Sequence, residues 1–151
     1  MMTDDRTKRE RSENMAAIRS TNTAPEVYFR KLLFARGYRY SLYNKHLPGK
    51  PDLFLRKYNT AIFINGCFWH HHSGCHYAYM PKSNMNYWQK KIRGNVERDK
   101  KVKDQLKDKR IRQLVVWECT IKKMKKSSEY AVEILDKTTD FLNSDIQYKE
   151  L

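Results

Sequence analysis

TAIFINGCFWHHHSGC, Thr60 to Cys75, is the stretch that most constrains the fold and the chemistry of this chain. Its first part, Thr60 to Asn65, is a continuous apolar run of the kind that forms a buried strand. The second part, Gly66 to Cys75, holds two cysteines, three consecutive histidines and a Phe-Trp pair. The stretch therefore predicts a central strand that leads directly into a loop with metal-binding or catalytic potential.

Segments on both sides of this strand predict an α/β fold. A helix is expected to begin at Thr23, where Pro25 and Glu26 complete a capping-box pattern, and to stop at Gly37. The other expected elements are strands at Tyr38–Tyr43, Asp52–Leu55 and Ile111–Cys119, a long helix from Ser83 that can break at Gly94, and a closing helix through Tyr130, Ile134 and Phe141. The order α-β-β-β-α-β-α predicts an α/β sandwich around a largely central sheet.

The length of 151 residues and the lack of internal repeats in the sequence favour one domain with a sizeable core. Residues 1–22 are polar and basic apart from one short apolar patch, so we expect an arm that docks on a partner. Residues 23–151 are expected to form the domain itself.

Charge is the strongest signal in the composition. Lys and Arg number 31 against 17 Asp and Glu, a net charge of +14. An excess of this size indicates a polyanionic partner, because Lys and Arg at phosphates release counterions; a highly charged protein without such a partner is the alternative. The segment Lys82 to Lys126 has 16 basic and 5 acidic residues, whereas residues 127–151 have 2 basic and 6 acidic ones. The last helix is therefore expected to pack away from the partner.

The sequence also limits the compartment. No apolar run approaches the roughly 18 residues that span a bilayer, and the N-terminus lacks the apolar segment of a signal peptide. We therefore expect a cytosolic protein with no membrane partner and with reduced thiols. Its three cysteines then suit metal or thiol chemistry better than disulfides.

The cysteines suggest a structural zinc site. Zinc in such sites takes four N or S ligands in a tetrahedron, commonly three Cys and one His. Cys67, Cys75 and Cys119 account for every cysteine of the chain, and the fourth ligand would be one of His70, His71, His72 and His76. Spacing does not decide which histidine it is. The alternative is three unrelated buried thiols beside solvated histidines.

Asp52 is a candidate for a second metal. It follows a turn and begins a predicted strand, so its carboxylate would stand at a sheet edge. Mg²⁺ prefers one or two protein oxygens together with water and substrate phosphate. The backbone carbonyl of Ile64, at the end of the adjacent predicted strand, can provide a second oxygen. A turn aspartate that accepts backbone hydrogen bonds is the alternative.

Aromatic and basic residues supply possible contacts to a polyanion. Phe68 and Trp69 either pack beneath the loop or insert between bases. Residues 87–101, YWQKKIRGNVERDKK, predict a basic helix that suits phosphate contacts, or otherwise a solvated helix face. Asp99, an acid among these bases, either pairs with a neighbouring charge or orients a catalytic histidine.

Five motifs occur in the order typical of one family: NMAAIRSTNTAPE, LPGKPD, IFINGCFWHHH followed by a Cys, PKSN…YWQKKIRGNVERD and LVVWEC. On these motifs, which cover Ser12 to Thr120, the chain resembles the very-short-patch-repair (Vsr) DNA mismatch endonucleases of bacteria. The resemblance implies a restriction-endonuclease-like three-layer α/β sandwich with a central mixed sheet and a structural Zn²⁺. It further implies Mg²⁺-dependent nicking of double-stranded DNA, 5′ to the T of a T:G mismatch left by deamination of 5-methylcytosine.

The resemblance also implies a role for each motif residue. Catalysis would involve Asp52, Glu26, His70 as the general base and Asp99 as the acid that orients His70. Mg²⁺ would be held by Asp52 and the carbonyl of Ile64, and Zn²⁺ by Cys67, His72, Cys75 and Cys119. DNA would be contacted by Met15, Phe68, Trp69, Lys91, Asn95 and Arg98. We expect a monomer in the bacterial cytoplasm, at the nucleoid, able to meet other repair proteins.

Two features depart from the family pattern. The loop from His72 to Cys75 is one residue longer than expected, and Asn65 stands where family members often have His or Asp. Two other functions stay open: a restriction-like nuclease on unmismatched sites, and a zinc-stabilised DNA-binding module without catalysis.

Overall fold

The structure, a computed structural model, describes residues 21–151; Met15 and the rest of the predicted arm up to residue 20 lie outside the described residues. The helices of the described part are α1 (Ala24–Ala35), α2 (Met85–Asp108), α3 (Glu118–Lys126) and α4 (Ser128–Leu142). Its strands are β1 (Ser41–Leu42), β2 (Leu53–Leu55), β3 (Thr60–Asn65), β4 (Arg112–Trp117) and β5 (Tyr148–Glu150). Between residues 21 and 151, no helix is both long enough and apolar enough to cross a bilayer.

The five strands form one mixed sheet in the spatial order β1-β2-β3-β4-β5. The neighbours β1, β2 and β3 are antiparallel, whereas β3, β4 and β5 run parallel. β3 pairs with β4 from Thr60 opposite Arg112 to Asn65 opposite Trp117. The carboxyl ends of the two central strands therefore meet at one edge of the sheet, where the loop after β3 and helix α3 both begin.

Helices cover both faces of the sheet. On one face α1, α3 and α4 enclose the main core, which includes Phe29, Leu33, Ile62, Leu114, Val116, Ile121, Ile134 and Phe141. The other face is covered by α2 through Val102 and Leu106, and by the loop after β3 through Cys67. Because successive strand residues point to opposite faces, β3 and β4 contribute to both layers. The predicted mixed α/β architecture with a central mixed sheet is confirmed.

The start of α1 differs from the prediction. Thr23 is the N-cap residue, and its backbone carbonyl accepts from the N–H of Val27 at 3.0 Å, but its side chain makes no capping hydrogen bond. Glu26 is instead buried, with 5 % of its surface exposed, and bonds to the hydroxyl of Tyr43. The capping-box prediction is therefore wrong. The predicted stop is confirmed, since Gly37 has a φ of 95°, a conformation that favours glycine.

Helix α2 runs through Gly94 without a break, contrary to the expectation that it could divide there. A glycine inside a helix costs about 1 kcal/mol relative to alanine. Gly94 is exposed, and the helix is anchored on both sides of it by the buried residues Ile92, Val102 and Leu106. Burial of these side chains outweighs the glycine penalty, because each contributes about 2 kcal/mol.

The chain after β4 also differs from the prediction. The strand predicted for Ile111–Cys119 ends at Trp117, and Glu118 already begins α3, so Cys119 lies on a helix. The closing helix is followed by β5, which the sequence analysis missed. The strand predicted for Tyr38–Tyr43 shortens to Ser41–Leu42.

Candidate functional site

Three cysteines and one histidine converge where β3 and β4 end. Cys67, His72 and Cys75 lie in the loop after β3, and Cys119 lies in the first turn of α3. The four ligand atoms all lie within 4.8 Å of one another. Spacing in the sequence did not identify which histidine is the fourth ligand. In the structure His72 belongs to this cluster, while His71 is exposed.

Two turns in the loop after β3 hold His72 in place. The backbone N–H of His72 donates to the carbonyl of Cys67 at 2.9 Å, and the N–H of Cys75 donates to the carbonyl of His72 at 3.2 Å. Gly74 has a φ of 74°, a conformation that glycine adopts without strain. These turns keep His72 beside the cysteines.

The spacing of the cluster fits a tetrahedral metal ion. Nδ1 of His72 lies 3.5 Å from Sγ of Cys67 and 3.5 Å from Sγ of Cys119. A tetrahedron with Zn–S bonds of about 2.3 Å and Zn–N bonds of about 2.0 Å has N–S edges of about 3.5 Å. A set of three thiols and one imidazole at this spacing could hold Zn²⁺.

The electrostatics of the cluster also favour a cation. Burial, the largest cause, and the nearby Cys119 and Cys75 together raise the pKa of Cys67 to about 12, although the hydrogen bond from the backbone N–H of Cys119 opposes this rise. Burial lowers the pKa of His72, which keeps its ring neutral and able to ligate. The ring of His72 stacks on Trp117 with centroids 4.0 Å apart and planes at 3°, so its orientation is fixed by packing.

A cleft of about 540 Å³ opens at the same edge of the sheet. Its walls bring together Glu26 of α1, Asp52 just before β2, His70 of the loop after β3, and Glu118 of α3. Asn65 also lines the cleft, at the end of β3. Residues that are far apart in sequence thus form one concave polar site.

Asp52 is anchored to the end of β3. Its Oδ2 accepts a hydrogen bond from the backbone N–H of Ile64 at 2.7 Å. The N–H and C=O of a strand residue point to the same side of the strand, so the carbonyl of Ile64 is directed toward Asp52 as well. Burial raises the pKa of Asp52 to about 7, and the charge of Glu26 adds to that rise, while the Ile64 hydrogen bond and His70 oppose it. A cation bound here would relieve this penalty.

His70, which lines the cleft, pairs with Asp99 of α2. Nδ1 of His70 lies 2.7 Å from Oδ2 of Asp99, and both side chains are partly exposed. The contact engages Nδ1 and leaves Nε2 of the same ring for another partner. This is the arrangement that the sequence analysis expected for a histidine base and its orienting acid.

Glu26 faces the same cleft from α1. Its Oε2 accepts a hydrogen bond from the Tyr43 hydroxyl at 2.5 Å. This contact, rather than helix capping, accounts for a buried carboxylate in the first turn of α1. Tyr43 also lines the cleft, and the sequence analysis did not select it as a site residue.

Phe68 and Trp69 belong to a larger aromatic cluster beside the cleft. Their rings are 5.1 Å apart, and both contact Trp88 of α2, at 5.3 Å and 5.8 Å between centroids. Tyr79 packs on Phe68 and Tyr87 packs on Trp88, and both tyrosines are largely exposed. The sequence analysis missed the last three aromatics, although the Tyr-Trp pair opening the basic helix was a usable signal.

The three polar residues predicted to contact DNA differ in their surroundings. Lys91 and Arg98 are exposed on α2. Asn95 is half-buried, and its Nδ2 donates to the backbone carbonyl of Trp69 at 2.9 Å. Asn95 therefore holds the aromatic cluster against α2, a contact that sequence spacing could not reveal. Glu118 is a further cleft residue that was missed, although it lies inside the VWEC motif.

Comparisons with known proteins give the relationship of the chain. The family model DNA mismatch endonuclease Vsr matches residues 3–76. The Type II nicking enzyme V.NmeAIP of Neisseria meningitidis is 47% identical over 80% of this chain and 86% of its own length. The Type II nicking enzyme V.XorIIP of Xanthomonas oryzae is 41% identical over 80% and 88%. The DNA mismatch endonuclease Vsr of Escherichia coli K12 is 37% identical over 87% and 83%.

Together with the mixed α/β sheet and its polar cleft, these matches define the class of protein as a DNA endonuclease, a hydrolase of phosphodiester bonds. Within that class, the chain belongs to the DNA mismatch endonuclease Vsr family.

Proposed function

We propose that this protein is a Mg²⁺-dependent, strand-specific endonuclease that nicks double-stranded DNA 5′ to the T of a T:G mismatch in a short sequence context. Such a nick would initiate very short patch repair of deaminated 5-methylcytosine. The observation that carries the proposal is the position of the cleft, where Asp52, Glu26 and His70 lie directly beside the aromatic cluster. A base pair disturbed by the aromatics would place its phosphodiester next to these polar groups.

Asp52 and the carbonyl of Ile64 are the groups that would hold Mg²⁺. Both are oxygen donors, which the ion prefers, and the raised pKa of Asp52 indicates a carboxylate that gains from a nearby cation. When bound, Mg²⁺ supplies Lewis-acid activation of water and charge stabilisation at the leaving 3′ oxygen. Glu26 would orient water at the same site through its second carboxylate oxygen.

His70 would act as the general base. The 2.7 Å contact of Nδ1 with Asp99 favours the tautomer with the proton on Nδ1 and a lone pair on Nε2. Nε2 would take the proton of the attacking water, and the Asp99 carboxylate would stabilise the resulting imidazolium. Histidine is the side chain that most often serves as a general base in enzymes, because a free imidazole exchanges its proton near neutral pH.

The zinc cluster would give structure rather than catalysis. Cys67, His72, Cys75 and Cys119 leave no open position in a four-coordinate site, as is typical of structural zinc. The cluster joins the loop after β3 to α3, and the same loop carries His70, Phe68 and Trp69. The zinc would therefore fix the general base His70 and these two aromatic side chains to the sheet.

Phe68 and Trp69 would test the duplex by insertion, with Met15 of the arm entering from the opposite groove. Unstacking costs least at a mismatched pair, so the wedge would select T:G through deformability. Lys91 and Arg98 would contact phosphates, and Asn95 would position Trp69. The arm of residues 1–22 would make further contacts to DNA.

The remaining parts of the proposal concern fold relationship and cellular context. We propose that the sandwich of residues 23–151 is a single restriction-endonuclease-like domain. We further propose a monomer that acts in the bacterial cytoplasm, on nucleoid DNA, and that can meet other repair proteins. The net charge of +14 supports the DNA partner.

A nicking assay tests the proposal. Duplexes labelled on either strand, carrying T:G or C:G at one position in varied contexts, are incubated with Mg²⁺ or with chelator. We expect a nick only in the T strand of the T:G duplex and only with Mg²⁺. Asp52→Ala should abolish the nick and leave mismatch binding largely intact, and lost binding with retained cleavage would contradict the site.

A second candidate is nicking of an unmismatched sequence. It is favoured by the similarity to the Type II nicking enzymes V.NmeAIP and V.XorIIP. Cleavage of the C:G duplex as fast as the T:G duplex would establish it.

A further inference from the structure

Tyr43 contacts two of the acidic residues that line the cleft, Glu26 and Asp52. Its hydroxyl lies 2.5 Å from Oε2 of Glu26, and its backbone N–H donates to the carbonyl of Asp52 at 3.3 Å. In the sequence Tyr43 was only the end of a predicted strand. In the structure it follows β1 and turns its ring into the cleft.

Among the hydrogen-bond partners of the Tyr43 hydroxyl, Glu26 is the nearest acceptor for its proton. A phenol has one hydrogen to donate and two lone pairs to accept with. Its oxygen accepts from the backbone N–H of Asn22 and from a guanidinium nitrogen of Arg30 at 3.3 Å. Arg30 is itself held by Oδ1 of Asn22 at 2.8 Å. Two acceptors remain for the proton, Oε2 of Glu26 at 2.5 Å and Oδ1 of Asn22 at 3.4 Å. The shorter contact to a charged oxygen directs the proton at Glu26.

Two further properties keep the Tyr43 hydroxyl in this arrangement. Burial and the neighbouring Glu26 raise the pKa of Tyr43, so the phenol stays protonated and remains a donor. Its backbone has a φ of 49°, a conformation that is uncommon for a bulky side chain and that surrounding contacts must maintain. Such a conformation points to a constraint imposed by the site rather than by the local sequence.

We propose that Tyr43 is a positioning residue for the nicking reaction, whose hydroxyl holds the carboxylate of Glu26 toward Asp52. The inference rests on the proposed function, since it concerns the same cleft. Glu26 lies near enough to Asp52 for its charge to raise the pKa of that residue. Without the Tyr43 hydroxyl, Glu26 would lose its donor and turn away from the reacting phosphate.

The test compares Tyr43→Phe with Tyr40→Phe. Tyr40 is a matched control, because it is also half-buried beside α1 and its hydroxyl donates to the carbonyl of Arg30 at 2.9 Å, but it does not line the cleft. The full-length variants are measured for single-turnover nicking of a labelled T:G duplex with Mg²⁺, for the Kd of that duplex and for Tm. We expect Tyr43→Phe to lower the single-turnover rate by about 10-fold to 100-fold, the size expected for a lost bond to a charged group. Its Kd and Tm should match those of Tyr40→Phe.

Three results would overturn the inference: an unchanged rate in Tyr43→Phe, an equal loss of rate in Tyr40→Phe, or a loss of rate that is matched by the loss of DNA affinity. A wild-type protein that nicks no duplex would instead overturn the proposed function. Crystal structures of the two variants would then decide the inference on their own. A Glu26 carboxylate displaced only in Tyr43→Phe supports it, and an undisplaced one contradicts it.

Discussion

Nδ1 of His70 lies 2.7 Å from Oδ2 of Asp99, which joins the loop after β3 to the middle of α2. The two side chains are 31% and 40% exposed. An ion pair this exposed contributes at most about 1 kcal/mol to stability. Its main effect should therefore be on the orientation and tautomer of His70, and hence on activity.

Asp99→Asn is expected to lower the nicking rate with little change in Tm. The amide can offer its N–H to Nδ1 and so favour the wrong tautomer, which removes the lone pair from Nε2. A positioned base contributes about 10²-fold to 10⁴-fold, so we expect a loss in that range, with His70→Ala at least as slow. Asp104→Asn, which changes an exposed carboxylate on the same helix, is the control. A rate for Asp99→Asn equal to that of the control would contradict the role.

The raised pKa of Asp52 predicts how stability depends on pH in the metal-free protein. Its pKa is about 7 in the folded protein and 3.8 in the reference state, so the unfolded chain loses this proton first as pH rises. The contribution of Asp52 to stability should therefore fall between about pH 4 and pH 7 and be constant above that. The shift sets an upper limit of about 4 kcal/mol, which water in the open cleft will reduce.

Urea unfolding in chelator at pH 5, 6 and 8 checks this dependence, with Asp52→Asn as the comparison. The variant lacks the titrating carboxylate, so the difference in unfolding free energy between variant and wild type should grow from pH 5 to pH 8. Added Mg²⁺ should stabilise the wild type more at pH 8 than at pH 5, because only the ionised carboxylate binds the ion. A difference that stays constant with pH would contradict the shift.

His72→Ala and His71→Ala form a pair that tests the metal cluster. His72 places Nδ1 3.5 Å from two cysteine sulfurs, whereas the adjacent His71 is exposed. We expect His72→Ala to lose zinc and to be less stable by several kcal/mol, since binding of a structural metal is coupled to folding. His71→Ala should keep one zinc per chain and a wild-type Tm. Cys119→Ser should behave as His72→Ala does.

Metal analysis of freshly purified protein and thermal unfolding measure both effects. If the wild type contains no zinc when purified without chelator, the cluster is not a zinc site. Equal zinc content in the two histidine variants would mean that another histidine ligates.

The sequence predicted correctly those helices and strands that have a clear apolar pattern of their own. The run Thr60–Asn65 became a strand with the expected limits, because its side chains are buried in the layers on both faces of the sheet. The strand Tyr148–Glu150 has no such pattern, since two of its three residues are charged and its pairing with β4 comes from a distant part of the chain. Helix α3 was not predicted, because the apolar run of β4 leads into it without a turn residue.

The sequence motifs predicted which residue types the site contains, but not all of their contacts. Spacing identified the cysteines but not the histidine, because the choice depends on turns between Cys67 and Cys75 that bring Nδ1 of His72 to the sulfurs. The position of Glu26 matched a capping-box pattern, but its hydrogen-bond partner Tyr43 lies 17 positions away in the sequence. A local sequence pattern could not identify that partner. Side-chain contacts between separate elements were the part that sequence could not supply.

Trp69→Ala should reduce discrimination between T:G and C:G duplexes more than it reduces overall affinity. Trp69 is half-buried in the aromatic cluster, and its backbone is held by Asn95 at 2.9 Å, so its ring is presented in a fixed position. Stacking of a base on an aromatic ring is worth about 1–3 kcal/mol, so the ratio of the two Kd values should fall by about 10-fold.

Lys91→Ala is the matched control for this variant, because an exposed lysine that contacts phosphate should weaken binding to both duplexes equally and lower the salt dependence of binding. Fluorescence anisotropy with labelled T:G and C:G duplexes at two salt concentrations gives the four Kd values for each protein. If Trp69→Ala weakened both duplexes by the same factor, as expected for Lys91→Ala, the ring would contribute general affinity only and the wedge would have to be assigned to other aromatics of the cluster.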